Sequence, residues 1–186
     1  MRIVGGRARG LKLAEVGAGD PKAHLRPTSD RVREAIFNLL INGGYGNPLQ
    51  GARVLDMFAG TGALGLEALS RGAAHASFVE NGKAALTLLT RNIALMRAEG
   101  ETAILRRDAT SPGTNPAAPF DLVFLDPPYG KAMGETALRA AMAGGWLAPA
   151  ALIVWEEGAA PALPEGVTLE DQRKYGDTLV TIARVN

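Results

Sequence analysis

The chain has 186 residues, of which 47% are hydrophobic and 21% charged, and this length is typical of one domain whose core needs no covalent cross-links. The absence of cysteine excludes disulfides, thiolate metal sites and a cysteine nucleophile, and with two histidines we expect no metal site. The apolar runs are far shorter than the roughly 20 residues of a membrane span, and the N terminus lacks a signal-peptide pattern, so we predict a soluble, cytoplasmic protein.

The charges are distributed unevenly along the chain. Residues 1–33, here called the basic arm, carry eight Lys and Arg residues against three Asp and Glu, a net charge of +5, and the remaining residues carry −4. Because Lys and Arg gain free energy by displacing counterions from phosphates, a basic arm on an acidic body favours a nucleic-acid partner. The charge alone is equally compatible with an arm that only keeps the N terminus soluble.

The first predicted elements precede the regular part of the chain. Residues 2–13 indicate two short strands joined at Gly5-Gly6, and the stretch 14–27, rich in Gly, Pro and Ala, indicates a loop. Thr28-Ser29-Asp30 supplies helix N-cap residues, and Gly43-Gly44 ends the apolar periodicity that follows, which predicts a helix between them.

From residue 52 onward, apolar runs alternate with segments of helical periodicity. Continuous apolar strands separated by helices are typical of a parallel sheet covered on both faces. The last two strands predict an antiparallel hairpin at one edge, so the fold class is α/β with seven strands. The predicted strands are 52–58, 75–80, 102–106, 121–126, 151–156, 167–173 and 178–185, and the predicted helices are 63–71, 82–98 and 133–143.

A glycine-rich loop follows the strand at 52–58. The run Gly60 to Gly65 matches the pattern G-x-G-x-x-G between a strand and a helix, where glycine lets the backbone turn sharply and approach a ligand. In a doubly wound sheet, ligands bind beyond the carboxyl ends of the strands at the switch point, where we expect this loop to lie. The loop therefore predicts a cofactor site, and glycines that serve only helix–strand packing are the alternative.

Three acidic residues bear on which cofactor binds there. Glu80, about 20 residues after Gly60, can accept hydrogen bonds from both ribose hydroxyls, which fits NAD and S-adenosylmethionine equally. Asp56 favours a cationic amino-acid tail over a pyrophosphate, which its carboxylate would repel, although capping the N–H groups of the loop is a compatible role. Asp108 can accept from an adenine amino group or serve as an ordinary turn residue.

The end of the strand at 121–126 carries the catalytic hypothesis. The apolar strand runs into Asp126-Pro127-Pro128-Tyr129, at the sheet edge where the glycine loop is expected. Two prolines fix φ and remove two N–H donors, which leaves the Asp126 carboxylate and the Pro127 carbonyl as rigid acceptors beside an aromatic ring. They suit a planar exocyclic amine whose base stacks on Tyr129 and whose nitrogen then attacks a sulfonium methyl. A rigid strand-to-loop turn is the structural alternative.

The two motifs Asp56-Met57-Phe58-Ala59-Gly60-Thr61-Gly62 and Asp126-Pro127-Pro128-Tyr129 together resemble those of amino-methylating, S-adenosylmethionine-dependent, Rossmann-like methyltransferases. The segments Arg2 to Gly10 and Leu25 to Asn38 narrow the resemblance to the RsmD family of bacterial small-subunit ribosomal RNA guanine-N2 methyltransferases. The resemblance covers nearly the whole chain. Its N-terminal part separates this family from DNA adenine and protein glutamine methyltransferases, which share the other two motifs.

The resemblance implies an RNA-recognition region at residues 1–48 and a Rossmann-like methyltransferase domain at residues 49–186. It implies S-adenosylmethionine as cofactor and a monomer that binds no metal or membrane. The implied partner is 16S rRNA within the small ribosomal subunit or an assembly intermediate, and the implied target is the N2 amine of a loop guanine, guanine 966 in the family's usual substrate.

The resemblance also assigns roles by position. The catalytic residues are Asp126, Pro127, Pro128 and Tyr129, and the cofactor-binding residues are Asp56, Phe58, Gly60, Gly62, Glu80 and Asp108. The RNA-binding residues, predicted from the charge of the arm and from its motif, are Arg2, Arg7, Arg9, Lys12, Arg26, Thr28, Arg31 and Arg33.

Methylation of a DNA adenine or of a protein glutamine is the alternative within the same chemistry, and two functions of other classes compete with methyl transfer. A nicotinamide-dependent oxidoreductase would use the same glycine loop, but it needs a proton donor and the chain has no Tyr-x-x-x-Lys pair. A nucleic-acid-binding module with an inactive fold is disfavoured by the intact Asp126 and Tyr129.

Three further expectations concern the C-terminal half. Trp146 and Trp155 are expected to pack in the core or at its edge, and Glu156 and Glu157 to form a solvated charge pair. The segment between Asp108 and Phe120 is short and rich in Pro and Gly where such folds usually carry a crossover helix, which puts the covering of one sheet face in doubt.

Overall fold

A computed structural model describes residues 1–15 and 29–186, and these form a seven-stranded sheet with helices on both faces. The strand order is β3-β2-β1-β4-β5-β7-β6, in which β1 to β5 are parallel and β7 is antiparallel to β5 and β6. The α/β class and the antiparallel C-terminal hairpin are therefore confirmed. The elements are α1 (Asp30–Asn42), β1 (Arg53–Asp56), α2 (Ala63–Ser70), β2 (His75–Val79), α3 (Lys83–Met96), β3 (Thr102–Leu105), β4 (Phe120–Leu125), α4 (Met133–Ala143), β5 (Leu147–Glu157), β6 (Val167–Tyr175) and β7 (Thr178–Val185).

The strand order places the switch point between β1 and β4. Strands β2 and β3 are added on one side of β1, and β4 and β5 on the other. Asp56 pairs with Phe124 across this point, and the Met57 N–H donates to the Phe124 carbonyl at 3.0 Å. The glycine loop after β1 and the segment after β4 therefore leave the sheet side by side, where doubly wound folds bind ligands.

The core consists of two apolar clusters, one on each face of the sheet. One cluster contains the buried sides of α1, α2 and α3, and the other contains α4 together with Trp146 and Trp155. Both tryptophans are fully buried, as the sequence predicts. Within the described residues, no helix is long and apolar enough to cross a membrane.

The segment between Asp108 and Phe120 contains no helix, as its composition indicates. Trp146 compensates for the missing crossover helix. Its ring stacks on Phe120 at a centroid distance of 6.1 Å, and its Nε1 donates to the Gly113 carbonyl at 2.7 Å. The indole and the loop together cover the amino end of β4, whereas all residues of β3 remain partly exposed, so this face of the sheet is covered only in part.

The boundaries of α1 follow the predicted cap. The Ser29 hydroxyl accepts a hydrogen bond from the Val32 N–H at 3.2 Å, and the Gly43 N–H donates to the Leu39 carbonyl at 2.7 Å. Most of the loop predicted at 14–27, and Thr28, lie outside the described residues.

The N-terminal segment differs from the predicted pair of strands. Within residues 1–15, Arg2 and Lys12 form an isolated antiparallel bridge, and a one-turn 3-10 helix covers Gly6–Ala8. The reason is contact with α2. The N–H groups of Val4 and Gly5, which a strand ladder would use, donate to the Glu67 carboxylate at 2.8 Å each. The prediction of two strands was therefore wrong in detail, although the chain does reverse there.

Strand β5 begins four residues earlier than predicted, at Leu147. Pro149 argues against a strand in sequence terms because proline cannot donate to a ladder. A register shift between Phe120 and Leu122, opposite the positive φ of 58° at Ala150, accommodates this proline.

Candidate active site

The carboxyl ends of β1, β2, β4 and β5 border a cleft of about 1160 Å³. This volume exceeds the roughly 300–1,000 Å³ of a typical small-molecule pocket, so the cleft has room for a cofactor and a second group beside it. Of the predicted catalytic and cofactor-binding residues, all except Gly62 line the cleft: Asp56, Phe58, Gly60, Glu80, Asp108, Asp126, Pro127, Pro128 and Tyr129.

The three glycines of the loop have different roles. Gly60 lines the cleft with a positive φ of 53°. Gly62, with a φ of 81°, caps α2, and a Cβ on it would lie 2.4 Å from Leu89 Cδ1. A Cβ on Gly65 would lie 2.4 Å from the Phe78 ring. Gly62 and Gly65 therefore permit close helix packing, and Gly60 is the one of the three that faces the cleft.

Glu80 connects two loops at the cleft. Its Oε2 accepts from the Gly60 N–H at 2.9 Å, and its Oε1 accepts from the N–H groups of Asn81 at 2.9 Å and Gly82 at 2.7 Å. The carboxylate thus fixes the glycine loop against the start of α3. Two carboxylate oxygens offer about four lone-pair sites, of which these three N–H groups use three, so Glu80 can still accept from one hydroxyl of a ribose, through Oε2.

Asp56 is 1% exposed and has a polar atom without a partner. Its Oδ2 accepts from the Gly65 N–H at 3.1 Å, whereas its Oδ1 is buried with no hydrogen-bond partner in the described residues. Burial raises the pKa of Asp56 to about 7, against the lowering effect of the Gly65 hydrogen bond, and the charges of Asp126 and Glu80 raise it further. A buried acceptor without a partner costs free energy, so Oδ1 is the place where this cleft would accept a cationic donor.

Asp108 fulfils the turn role and also lines the cleft. Its Oδ1 accepts from the Thr110 hydroxyl at 2.7 Å and from the Thr110 N–H at 2.8 Å, and these hydrogen bonds lower the pKa of Asp108. The side chain is exposed, so a ligand can reach its second oxygen.

The segment Asp126 to Tyr129 leaves β4 and is held from two sides. The Tyr129 hydroxyl lies 3.1 Å from Thr178 Oγ1 at the start of β7. Glu157 Oε1 accepts from the N–H groups of Gly130 at 3.1 Å and Gly158 at 3.0 Å. These contacts from β5 and β7 fix the backbone that carries the predicted acceptors and the aromatic ring.

The expectation of a solvated pair at the end of β5 was wrong. Glu156 is 2% exposed and Glu157 is 9% exposed. Strand β5 lies between β4 and β7, and the segment after Tyr129 closes over its carboxyl end. Glu157 stabilises that segment, and Glu156 lines the cleft.

Arg33 is the one described arm residue whose predicted RNA contact is contradicted. The side chain is fully buried, its Nη2 donates to Asp30 Oδ1 at 2.8 Å, and its Nε lies 3.6 Å from Glu67 Oε2. The sequence contained a signal for this. Arg33 shares a helix face with the core residues Ile36, Phe37 and Leu40, at spacings of three, four and seven.

The other described residues that were predicted to bind RNA are exposed. Arg7 is paired with Glu101, and Arg2 Nε lies 3.7 Å from Asp30. Three more form no ion pair with another described residue, namely Arg9, Lys12 and Arg31. Arg26 and Thr28 lie outside the described residues.

The cleft has walls that sequence reasoning missed. Met1 and Glu15 of the arm line it, as do Tyr175, Asp177 and Thr178 from the turn between β6 and β7. No local pattern marks these residues, because tertiary packing alone brings them to the cleft. In the part of the chain that is described, no group of three or more His, Asp or Glu side chains could hold a metal ion.

The chain is similar in sequence to a known protein family and to several of its members. The family described as Conserved hypothetical protein 95 matches residues 1–184. Ribosomal RNA small subunit methyltransferase D of Escherichia coli (strain K12) is 38% identical over 179 residues, which cover 95% of this chain and 85% of that protein. The protein of the same name from Haemophilus influenzae is 36% identical over 183 residues, with coverage of 95% and 89%.

Solved structures agree with this relationship. The yhhF protein of Escherichia coli, described as a candidate methyltransferase, superposes with a TM-score of 0.81 and 34% identity, covering 100% of this chain and 98% of that one. TrmN from Thermus thermophilus gives a TM-score of 0.65 at 25% identity, with coverage of 89% and 52%. Because the match includes the N-terminal arm as well as both motifs, the chain belongs to the Conserved hypothetical protein 95 family, which is the RsmD family that its sequence resembles.

Proposed function

We propose that the protein is an S-adenosylmethionine-dependent ribosomal RNA methyltransferase that modifies the exocyclic N2 amine of a guanine. The observation that carries the proposal is the meeting, in one cleft, of the partnerless buried Asp56 Oδ1 with the acceptor rim of Asp126 to Tyr129. One feature suits a cationic cofactor and the other an aromatic amine. The names of the relatives support ribosomal RNA as the substrate.

The residues of the cleft fit the proposed cofactor. Asp56 would hold the cationic amino-acid part, because its buried oxygen gains a donor there. Glu80 would accept from a ribose hydroxyl, Asp108 from an adenine amine, and Gly60 and Phe58 would line the space between them. When bound, S-adenosylmethionine supplies an electrophilic methyl group on a sulfonium.

The segment after β4 prepares the amine of the target base. The Asp126 carboxylate and the Pro127 carbonyl would accept its two hydrogens, and Tyr129 would stack on the ring, a contact worth about 1–3 kcal/mol. Hydrogen bonds that draw the protons out of the ring plane localise the nitrogen lone pair. Because Glu157 and Thr178 fix this segment, the orientation is built in before the base arrives.

The proton of the reaction needs no strong base. An aryl amine that gains a methyl group becomes an acidic ammonium, and it can lose a proton to Asp126 or to water after the bond has formed. Asp126 therefore acts mainly by orienting the amine and by its charge.

The finer substrate assignment has three parts. A base in a loop avoids the few kcal/mol that unpairing costs, so a hairpin-loop guanine of 16S rRNA in the small subunit or an assembly intermediate is the proposed target, with guanine 966 as the specific position. We also predict that the protein acts as a monomer. We predict that it is located in the cytoplasm, where small ribosomal subunits are assembled.

Methyl transfer to undermethylated small ribosomal subunits tests the proposal directly. The full-length protein should transfer labelled methyl groups from S-adenosylmethionine to RNA, and mass analysis of the nucleosides should yield N2-methylguanosine. N6-methyladenosine, or methylated protein glutamine with unlabelled RNA, would replace the proposal with one of the other amino-methylating activities. Tight NAD binding without a response to S-adenosylmethionine would exclude methyl transfer altogether.

Cofactor affinity should depend on pH through Asp56. Because the pKa of Asp56 is raised to about 7, the carboxyl is mostly protonated at about pH 5 and ionised at about pH 8. A cation binds the ionised form, so affinity should rise about tenfold per pH unit below pH 7 and level off above it. Calorimetric titration with S-adenosylmethionine across this range measures the slope.

The variant Asp56→Asn supplies the control. It should bind weakly at every pH and lose the slope, since no carboxylate forms. The substitution should weaken cofactor binding but increase the stability of the folded protein. The folded pKa of Asp56, about 7, lies above its ordinary value of 3.8, so the wild type loses stability as pH rises between these values. The variant should therefore be the more stable protein at about pH 8. A wild-type affinity that does not change with pH would contradict the role of Asp56.

The basic arm should make RNA binding dependent on salt. Replacing Arg9, Lys12 and Arg31 with alanine should flatten the log–log slope of affinity against salt by about 2–3, because each phosphate contact contributes roughly 0.7–0.9. Filter binding to small-subunit RNA at several salt concentrations measures the slope. Arg139→Ala is the matched control, because Arg139 is exposed on α4, across the sheet from the arm.

Point substitutions are preferable to deletion of the arm. Ile3 is fully buried and Leu13 is 5% exposed, and both belong to the cluster that contains α1 to α3. A deletion would therefore damage the core as well as the charge. An unchanged slope in the triple variant, with unchanged methylation at low salt, would show that the arm is only a structural element.

A further inference from the structure

We propose that Glu156 selects guanine by accepting a hydrogen bond from its ring N1–H, while Asp126 and Pro127 hold the adjacent N2 amine. This inference rests on the proposed function and deepens it. It assigns the discrimination between bases to a residue that lies in neither sequence motif.

Glu156 lies beside Asp126 at the same edge of the sheet. In the parallel pairing of β4 with β5, Leu125 is the partner of Trp155. Asp126 and Glu156 are the residues that directly follow this pair on the two strands. Neighbouring strands lie about 4.8 Å apart. Both residues line the cleft, which places a second carboxylate within reach of any base held by the first.

The two carboxylates also belong to the same face of the sheet. Phe124 and Val154 are both members of the cluster that contains α1, α2 and α3. Side chains of a strand alternate between faces with a period of two, so Asp126 and Glu156 follow them on that face. Glu157 belongs to the opposite face and accepts from the Gly130 N–H instead. The two glutamates therefore have different roles: Glu157 holds the segment after Tyr129, and Glu156 faces the cleft.

The burial of Glu156 strengthens its effect on a ligand. With 2% of its surface exposed, the carboxylate acts where water screens little, and hydrogen bonds there are electrostatically stronger. The side chain engages other groups of the chain, but a carboxylate has about four lone-pair sites and can accept one more donor. Burying an acid costs free energy, which favours a functional reason for a glutamate at this position.

The Watson–Crick edge of guanine matches a pair of acceptors. Guanine carries a ring N–H donor directly beside its exocyclic amine. Adenine and cytosine carry a ring nitrogen acceptor beside theirs, and a glutamine amide carries a carbonyl oxygen. An extruded base is read through this edge, and a buried acceptor that faces another acceptor loses its hydrogen bond and gains repulsion. Glu156 therefore admits guanine and opposes the other amines that the Asp126 rim could hold.

The base analogue 2-aminopurine tests this contact, because it keeps the amine at C2 and lacks the N1–H. It also lacks the O6 carbonyl of guanine, so the contribution of Glu156 is read from the change in the guanine to 2-aminopurine ratio when only residue 156 is altered. The full-length protein should be assayed on small-subunit RNA carrying either base at the target position, assembled with ribosomal proteins where methylation of guanine requires it. The wild type should prefer guanine by roughly 10- to 100-fold in kcat/KM, the range expected for a hydrogen bond to a charged group.

The variant Glu156→Gln should sharply reduce this preference. Its amide oxygen can still accept from the N1–H of guanine, but without the charge, and its NH2 group can donate to the N1 acceptor of 2-aminopurine. The rate with guanine should therefore fall by roughly fivefold, the difference between a hydrogen bond to a charged group and one to a neutral group, and the rate with 2-aminopurine should rise. The affinity for 2-aminopurine RNA, read from its fluorescence with the demethylated cofactor present, should rise as well. Glu157→Gln is the matched control. It loosens the segment after Tyr129, so it should slow both substrates alike and leave their ratio unchanged.

The outcomes separate the inference from the function on which it rests. A wild type that methylates no guanine contradicts the proposed function. A wild type that methylates guanine, combined with an unchanged ratio in Glu156→Gln, overturns the role of Glu156 and indicates that Asp126 reads the N1–H. If Glu156→Gln fails to fold, Glu156→Asp takes its place: withdrawing the carboxylate by one methylene should reduce the preference for guanine, and an undiminished preference overturns the assignment.

Discussion

Replacing Asp126 with alanine should lower the rate of guanine methylation by at least about 100-fold, because the amine loses both an orienting acceptor and a charge. Cofactor affinity should not fall. The charge of Asp126 contributes to the raised pKa of Asp56, so its removal favours the ionised form of Asp56. Single-turnover methyl transfer measures the first effect, and calorimetry with S-adenosylmethionine measures the second.

Asp121→Ala is the control from the same strand. Asp121 lies at the amino end of β4, where its Oδ2 accepts from the Arg53 N–H at 2.9 Å, far from the cleft. We expect this variant to lose some stability and to keep its turnover. If Asp126→Ala retained turnover, or lost it only together with cofactor binding, the segment after β4 would not be the site of the reaction.

Replacing Glu67 with alanine should destabilise the protein by about 3–5 kcal/mol, the cost of leaving a buried charge without its partner. Glu67 is fully buried and accepts from two backbone N–H groups of the N-terminal segment. Its Oε1 lies 2.7 Å from Arg71 Nε, and its Oε2 lies 3.6 Å from the buried Arg33. All of these donors lose their acceptor together. Urea unfolding of the variant and the wild type measures the difference.

Glu101→Ala provides the contrast, since Glu101 also joins the arm to the body through an arginine. The pair of Glu101 and Arg7 is largely exposed, and exposed pairs contribute about 0–1 kcal/mol. Equal losses in the two variants would show that burial of Glu67 does not govern its contribution. A large loss in Glu67→Ala alone would confirm that the N-terminal segment is anchored on α2.

This anchoring bears on the proposed division at residue 48. Residues 1–15 and α1 share one apolar cluster with α2 and α3, and Met1 and Glu15 line the cleft. The described part of residues 1–48 is therefore packed as one body with the sheet and its helices. Its separate role in RNA binding is a matter for the salt-dependence experiment.

The sequence by itself determined most of the elements and the position of the candidate cleft. Helices and strands follow from local periodicity, and the limits of α4 agree with the predicted 133–143. Glycine and proline act on their own backbone, so the turn at Gly60 and the rigid segment at Pro127 can be predicted without tertiary information. Parallel topology then brings the carboxyl ends of β1 and β4 to one edge, which is why Asp56 and Asp126 could be assigned to one cleft.

Only the tertiary structure decided which charged side chains are buried and what they contact. Arg33, Glu156 and Glu157 read as surface charges, but their exposure depends on which elements pack over them, and that information is spread over distant parts of the chain. The contact of Thr178 with Tyr129 joins residues 49 positions apart. Local propensity does not predict such pairs. The favourable free energy of each pair arises from the contact itself, and the contact forms only after the sheet has brought β4, β5 and β7 together.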